Sequence, residues 1–321
     1  MTLKAINPPP PARKKFSLDD VKRGRLVLPR RVFGYGVEGV GKSTFAAGAP
    51  SPVFLAPERG NAHLDIARLP SPESWDEVLE IVGLVDGSSY ETLVVDPVNW
   101  LELLCWARVV GGPGAKPDES TADAIAKHGG GFNKGYDAAV GHWRTLVDRL
   151  ERVWKGGKHV VLMAHSHVKA FNDPTGVSYD RYEPAMHHKA AGVLKQWCDD
   201  VLFMRHEVLR KQEGPKAVAV ATGARVLHAQ WDRAWDAKSR AALPEELPLS
   251  WAEYWTAVEA GTVRLEAVRA RIAELVTAID DPEVTRKANA RIAEAAGNVD
   301  RLAEIANQLE LKHASTKEKN A

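Results

Sequence analysis

A glycine-rich stretch near the start of the chain has the residue types needed to hold phosphate. Residues 36–43, Gly-Val-Glu-Gly-Val-Gly-Lys-Ser, match the pattern G-x-x-x-x-G-K-[ST] without a gap. Backbone N–H groups of such a loop point inward, and the helix that follows presents its positive end to the phosphates. Lys42 is expected to reach the β- and γ-phosphates, and the Ser43 hydroxyl is expected to ligate Mg²⁺. The residues predicted to form the nucleotide site are Gly36, Val37, Glu38, Gly39, Val40, Gly41, Lys42, Ser43 and Thr44.

Polar residues follow three apolar runs that have the character of buried strands. In open α/β sheets, ligands bind at the carboxyl ends of the strands, so these residues are expected near the phosphate. Asp96 has the position of the carboxylate that holds the Mg²⁺ shell, directly or through water. Glu58 could orient or deprotonate a water that attacks the γ-phosphate, but an ordinary loop glutamate fits its position equally. His165 could contact the γ-phosphate, whereas a lone histidine at a strand end is more often structural.

The elements that carry these residues alternate between strand-like apolar runs and segments with helical spacing. This order predicts an α/β fold with a mostly parallel twisted sheet, flanking helices and antiparallel edge strands. The predicted strands are 31–33, 52–56, 91–96, 158–164, 200–204, 217–221 and 225–229. The predicted helices are 44–49, 75–85, 98–110, 136–154, 251–258, 263–279 and 284–312.

Composition restricts the classes of protein that fit. With 45% hydrophobic and 26% charged residues over 321 positions, the chain can bury a sizeable core. The formal net charge of +1 means that any contact with nucleic acid must come from a local basic patch. Two distant cysteines, Cys105 and Cys198, favour a reducing, cytosolic setting over a disulfide framework. No apolar run approaches the roughly 18 residues that a bilayer span needs, so no membrane contact is expected.

Three segments are expected from the breaks in the pattern. Residues 1–15 carry a proline run and no apolar stretch of the secretory type, so they are predicted to be a flexible tail. Residues 16–258 are predicted to form the phosphate-binding core. Residues 259–321 are rich in Ala, Glu, Leu and Arg and predict a helical hairpin, suited to partner contact or self-association.

Residues 111–135 form a long segment rich in glycine and proline. Loops of this length inside a compact domain are usually functional or disordered. The segment combines Lys116, Lys127 and Lys134 with Phe132, and lysines with interleaved aromatic residues suit contact with single-stranded nucleic acid. A plain mobile surface loop explains the composition equally well.

In the order of these parts, the chain resembles the RecA-like ATPases encoded by phages, small RecA-core recombinases that assist single-strand annealing. The likeness covers residues 30–245. It is carried by the phosphate loop at 36–44 and by residues 54–65, Phe-Leu-Ala-Pro-Glu-Arg-Gly-Asn-Ala-His-Leu-Asp, which are similar to the RecA stretch with the catalytic glutamate. The resemblance therefore implies that Glu58 activates the attacking water. It also implies a polar sensor, often glutamine in the family, at the strand end where this chain has His165.

The resemblance also implies partners. In RecA the loop after the sensor touches DNA, which corresponds here to residues 169–189. Lys238-Ser239-Arg240 resembles the paired cationic fingers that RecA and DnaB-type ATPases insert into a neighbouring subunit's site, although a solvated loop is the alternative. ATP and Mg²⁺ are thus implied between copies of the chain, in a ring or filament. Single-stranded DNA, a single-strand-binding protein and a cytoplasmic location are implied with them.

The favoured function is a DNA-stimulated ATPase of recombination, single-strand annealing or repair. A DnaB-type helicase core or loader, which moves on DNA, is the first alternative. A nucleotide-regulated binding module with little turnover, whose helical tail recruits a replication or packaging protein, is the second. A nucleoside kinase would need a lid with clustered arginines near an acceptor site, and the sequence shows none. The choice between ATP and GTP stays open.

Overall fold

A computed structural model of the chain describes residues 17, 28–57, 62–174, 176–213, 216–295 and 299–319. Within these residues, nine strands form one sheet that packs between helices. The strands are β1 (Arg31–Gly36), β2 (Pro52–Leu55), β3 (Ala67–Arg68), β4 (Thr92–Val95), β5 (His159–Phe171), β6 (Tyr179–Pro184), β7 (Asp200–Glu213), β8 (Lys216–His228) and β9 (Glu246–Pro248). The helices are α1 (Lys42–Ala47), α2 (Trp75–Leu84), α3 (Leu101–Gly111), α4 (Thr121–Lys127), α5 (Lys134–Lys155), α6 (His188–Trp197), α7 (Trp251–Ile279), α8 (Pro282–Ala295) and α9 (Val299–Lys319).

The centre of the sheet is parallel, with the strand order β3-β2-β4-β5-β1-β7. β8 and β9 extend the β7 side as antiparallel strands, and β6 pairs antiparallel with the outer half of β5. The predicted fold class, a mostly parallel sheet with antiparallel edge strands and C-terminal helices, is confirmed. Parallel strands are covered on both faces, which is why each one reads as a continuous apolar run such as residues 160–164.

The side chains of the central strands alternate between two apolar clusters. On one face, Phe33 and Tyr35 of β1 pack with α2, α3, α5 and α6. Trp75 and Trp143 meet edge to face in this cluster, with ring centroids 5.2 Å apart. On the other face, Val32 packs with α1 and with the start of α7. The sheet is therefore held between two helical layers, and α1 is fixed beside β1, which sets the position of the loop that joins them.

The C-terminal helices differ from their predicted limits. α7 is continuous, so the predicted break between residues 258 and 263 is wrong. Gly261 lies in that gap, and a Cβ at this position would be 2.1 Å from the carbonyl oxygen of Ala241. The glycine therefore lets α7 approach the backbone of Ala241 closely, and the helix continues through it. The single helix predicted over 284–312 is also wrong, because α8 and α9 divide this region.

The first part of α7 packs on the sheet through Tyr254, and its later part packs on α8 and α9 through Leu265 and Leu275. The boundary predicted between residues 258 and 259 therefore falls inside a helix that contacts both units. The predicted segments 16–258 and 259–321 stay predictions, and the predicted tail 1–15 lies outside the described residues.

Two segments predicted to be irregular contain regular structure. Residues 111–135 include α4, which buries Thr121 and Ile125. In residues 169–189, β5 continues to Phe171 and pairs with β6, and α6 begins at His188. These elements are short or mostly polar, so hydrophobic periodicity does not reveal them.

A buried carboxylate connects several segments at the amino-terminal edge of the sheet. Asp200 begins β7 and accepts hydrogen bonds from Nε and Nη2 of Arg30 at 3.0 and 2.7 Å. The hydroxyl groups of Ser239 and Tyr254 donate to the same carboxylate, each at 2.6 Å. Burial disfavours the charged guanidinium, but the facing Asp200 outweighs burial and raises the pKa of Arg30 above its ordinary value. The network fixes the residue before β1, the 238–240 segment and α7 to one another.

Asp200→Asn is expected to lower the free energy of unfolding by about 3–5 kcal/mol, because it leaves the mostly buried Arg30 charge without its facing carboxylate. Tyr254→Phe removes one hydrogen bond to a charged group and is expected to cost about 1.5–3 kcal/mol. Urea unfolding followed by circular dichroism measures both changes. Asp148→Asn, at an exposed position of α5, is the control and should change stability by less than about 0.5 kcal/mol. An Asp200→Asn protein as stable as the parent would contradict this account.

Candidate nucleotide-binding site

The loop between β1 and α1 has a backbone shape that depends on glycine. Gly36 ends β1 against β7, and a Cβ on Gly36 would lie 2.1 Å from the carbonyl oxygen of Met204. Gly39 and Gly41 have φ angles of 70° and 105°, in the left-handed region that other residues rarely adopt. α1 begins directly afterwards, at Lys42. The sequence motif therefore forms the strand, loop and helix that a phosphate site requires.

Lys42 is positioned by the loop itself. The residue is 5% exposed, and its Nζ donates hydrogen bonds to the carbonyl oxygens of Gly36 and Val37 at 3.0 and 2.9 Å. These bonds hold the ammonium group beside the loop, where a phosphate chain would need a positive charge. Val40, in contrast, is buried in the apolar cluster beside α1, so it offers the site its backbone and no side chain.

One cleft of about 590 Å³ collects the predicted phosphate and metal residues. Lys42 and Ser43 line it from the start of α1, Asp96 from the end of β4 and His165 from β5. The other loop residues that line it are Glu38, Gly39, Gly41 and Thr44. β5 lies between β1 and β4, so it brings His165 to a position between the loop and Asp96.

Asp96 and Ser43 have the chemistry of a Mg²⁺ site. Asp96 follows β4 and is 6% exposed, and its backbone N–H donates to the carbonyl oxygen of Leu55 at 3.1 Å. The Ser43 hydroxyl and the Asp96 carboxylate line the same cleft. Hard oxygen donors of this kind suit Mg²⁺, which completes its shell with substrate phosphates and water. The two residues therefore fit the predicted metal site.

His165 is held by the turn that follows Asp96. Its backbone N–H donates to Oδ1 of Asn99 at 3.0 Å, and its carbonyl oxygen accepts from the N–H of Ala185 at 2.8 Å. In the sheet, His165 is the register partner of Gly36. The position of His165 thus depends on β1, on the turn after β4 and on the hairpin that β5 forms with β6.

Sequence reasoning did not assign four other residues of the cleft to it, namely His63, Pro97, Trp100 and Arg225. Trp100 is 46% exposed on the turn after β4, and its closeness in sequence to Asp96 is the signal that could identify it. Arg225 has no comparable signal, because it comes from the antiparallel strand β8, far along the chain.

Lys238 and Arg240 lie at the amino-terminal ends of the parallel strands, whereas the phosphate loop lies at their carboxyl ends. The backbone of Lys238 pairs with Val201 near the start of β7, with N–O distances of 2.8 and 3.0 Å. β7 runs parallel to β1 and comes level with the loop only at Met204, the register partner of Gly36. The predicted cationic pair therefore does not line the nucleotide cleft of its own chain.

The cationic pair lines a second cleft, of about 580 Å³, together with Arg264 of α7 and Arg301 of α9. Arg240 forms an ion pair with Asp199, with an N–O distance of 3.0 Å. Burial, and after it the charge of Arg240, lowers the pKa of Lys238. Cationic side chains from the core and from the C-terminal helices thus line one cleft, together with the carboxylate of Glu294.

Glu58 and its neighbours 59–61 lie outside the described residues. β2, which precedes Glu58, ends at Leu55 and pairs with β4. His63, just beyond the gap, lines the cleft. The strand that leads to Glu58 is therefore on the Asp96 side of the cleft, and the role of Glu58 stays a prediction.

Comparison with known protein families agrees with this geometry. Residues 28–241 match a family model described as an AAA domain. This chain belongs to the AAA domain family. AAA domains of this type are P-loop ATPases that generally use ATP and Mg²⁺. The AAA domain match ends before α7, so the C-terminal helices lie beyond it.

No curated protein matches the chain. Every helix in the described part of the chain is too short or too polar to cross a membrane.

Proposed function

We propose that the chain hydrolyses ATP in response to single-stranded DNA and serves DNA recombination, single-strand annealing or repair, as RecA-core recombinases of phages do. The observation that carries the proposal is the single cleft that Lys42 and Ser43 share with Asp96 and His165. A phosphate loop alone would fit a kinase, a GTPase or a transporter ATPase. The carboxylate after β4 and the polar residue on β5 add the metal and γ-phosphate contacts that hydrolysis needs.

Each residue has a role in the proposed hydrolysis. Lys42 would neutralise charge on the β- and γ-phosphates, and Ser43 and Asp96 would hold Mg²⁺. When bound, the metal ion supplies positive charge to the β- and γ-phosphate oxygens. Glu58 would orient or deprotonate the attacking water, and His165 would contact the γ-phosphate. Phosphoryl transfer depends mainly on positioning and charge, and strand ends held in one sheet provide the positioning.

The hairpin of β5 and β6 supports single-stranded DNA as the partner. The rings of Phe171 and Tyr179 lie 5.3 Å apart near its tip. Arg181 lies 5.3 Å from the centre of the Phe171 ring, and Arg233 lies 4.7 Å from that of Tyr179. Trp231, which is 59% exposed, lines the same groove. These five residues form the hairpin surface, and aromatic rings with arginines are the combination on which successive bases stack.

The other segment predicted to bind DNA, residues 111–135, has fewer features of this kind. Phe132 is 95% exposed, but Lys116 is already paired with Glu73. The segment also contains α4 instead of an open loop. The hairpin surface is therefore the better supported of the two.

The position of Lys238 and Arg240 supports ATP bound between protomers. Both residues lie at the sheet edge opposite the phosphate loop, and the Arg240 side chain is 56% exposed. In a head-to-tail assembly, that edge of one copy meets the nucleotide edge of the next, and the assembly is a ring or a filament according to whether the rotation closes. A cation supplied in trans stabilises transition-state charge and makes turnover depend on assembly.

ATP turnover, measured as phosphate release with excess Mg²⁺, is expected to rise when single-stranded DNA is added. Lys42→Ala is expected to lower turnover by at least about 100-fold, because the transition-state charge loses a stabilising cation. Glu58→Gln is expected to lower turnover about 100- to 10,000-fold while ATP binding persists. Lys155→Ala removes an exposed lysine of α5 and is the matched control, which should leave turnover unchanged.

The turnover and the DNA binding of the parent protein test the proposal most directly. No turnover and no ATP-dependent DNA binding in the parent would overturn the proposal. A Glu58→Gln protein with the full function of the parent would show that nucleotide binding without hydrolysis suffices. Strand separation on a forked duplex would favour a helicase. Repeating the turnover assay with GTP in place of ATP measures the nucleotide preference.

Trp231→Ala is expected to weaken the binding of a fluorescent oligo-dT about 5- to 150-fold, which corresponds to the loss of one base stack. Arg233→Ala should reduce the slope of log affinity against log salt by about 0.7, and Arg233 is chosen because Arg181 is already in an ion pair. Leu84→Ala, at a 59% exposed position of α2, is the control. A loss with Phe132→Ala but not with Trp231→Ala would move the DNA site to residues 111–135.

Lys42→Ala and Arg240→Ala proteins are each expected to be at least about 100-fold less active than the parent. A 1:1 mixture should recover about a quarter of parental turnover in the phosphate-release assay. The reason is that random assembly joins an intact loop to an intact Arg240 at about one interface in four. Arg240→Ala should fold, because Asp199 keeps its ion pair with Arg31 at 2.8 Å.

The matched control for this mixture is Lys42→Ala combined with a Lys42→Ala, Arg240→Ala double variant, which offers no complete interface and should stay inactive. A mixture no more active than its separate components would contradict the trans arrangement. Full activity of Arg240→Ala alone would remove Arg240 from the site.

A further inference from the structure

Arg225 reaches the phosphate loop from a strand outside the parallel part of the sheet. Its Nη1 atom is 2.9 Å from the place that a Cβ on Gly41 would occupy, and its Cδ is 3.8 Å from the same place. The guanidinium group therefore lies against Gly41, and Arg225 lines the cleft with Lys42 and Ser43. A second cation of the same chain thus stands beside the predicted phosphate site.

The backbone of Arg225 is fixed on two sides. It is the register partner of His206 on β7, and its carbonyl oxygen accepts a hydrogen bond from the N–H of Leu249 at 2.9 Å. In the described part of the chain, its guanidinium forms no ion pair with a carboxylate, including that of Glu38 in the same cleft. The structure thus fixes the backbone of Arg225 beside the loop, and the charge of its exposed side chain is available to an anionic ligand.

The cleft has two ends that differ in chemistry. Asp96 and His165 come from β4 and β5, on one side of β1, whereas Arg225 comes from β8, on the other side. Ser43 and Asp96, which would hold Mg²⁺, would bring the β- and γ-phosphates toward the β4 side. The α-phosphate and the nucleoside would then extend away from Asp96, toward β7 and β8.

We propose that Arg225 binds the α-phosphate of the nucleotide and so holds the nucleoside end in the site of its own chain. This inference rests on the proposed function and names a contact within the same cleft. In this proposal the two cations of the cleft have different roles. Lys42 contacts the β- and γ-phosphates, where the reaction takes place, and Arg225 contacts the α-phosphate, which stays on the nucleotide. Because ATP and ADP both carry an α-phosphate, Arg225 contributes equally to the binding of each. A cation that contacts the γ-phosphate would favour ATP alone.

The test compares the affinities of fluorescent mant-ATP and mant-ADP for the parent, Arg225→Ala and Arg225→Lys. Arg225→Ala is expected to raise both dissociation constants about 10- to 100-fold and to leave their ratio unchanged, as expected for the loss of a charge-assisted hydrogen bond. Arg225→Lys should lie between the two, because it keeps the charge and loses the planar fork. Arg149→Ala, at an exposed position of α5, is the matched control and should bind both nucleotides as the parent does.

Displacement of mant-ADP by inorganic tripolyphosphate separates a phosphate contact from a base contact. Arg225→Ala should weaken tripolyphosphate by the same factor as the nucleotides, and an unchanged tripolyphosphate affinity would overturn the phosphate contact. Unchanged nucleotide affinities in a folded Arg225→Ala protein, or a loss confined to mant-ATP, would overturn it too. A parent that binds neither nucleotide would overturn the proposed function as well, whereas the preceding results concern Arg225 alone.

Discussion

Three parallel strands come level at one edge of the sheet, and the nucleotide cleft depends on this alignment. Gly36 of β1 is the register partner of His165 on one side and of Met204 on the other. A side chain at Gly36 would overlap the backbone of Met204, so β1 and β7 can approach this closely only with glycine there. Parallel strands then direct the polar residues at their carboxyl ends to a common edge. The loop, Asp96 and His165 share one cleft because their strands share one register.

The parts of the molecule that depend on local pattern could be predicted from the sequence. The phosphate motif fixes the loop, because its glycines set the backbone shape and Lys42 bonds to the loop's own carbonyl oxygens. The parallel strands could also be predicted, since burial on both faces makes each one a continuous apolar run. The locations of Asp96 and His165 in one cleft followed from those strands, although their roles did not.

What could not be predicted depends on neighbours that are remote in sequence. Arg225 meets Gly41 only because β8 pairs with β7, and no spacing rule links the two positions. Glycine usually weakens a helix, yet the contact of Gly261 with the Ala241 backbone makes a glycine necessary at this position of α7. The hairpin within 169–189 depends on pairing between polar strands, so no apolar alternation marks it. The role of Glu58 rests on its position after a predicted strand and on sequence similarity, since the residue lies outside the described part of the chain.

β5 is 13 residues long and passes through two environments. Its first half is buried between β1 and β4, and its second half leaves that layer to pair with β6. The stretch from His165 to Phe171 spans about 20 Å of extended chain. One unbroken strand thus joins a residue of the cleft, His165, to Phe171 at the hairpin tip, with no loop between them.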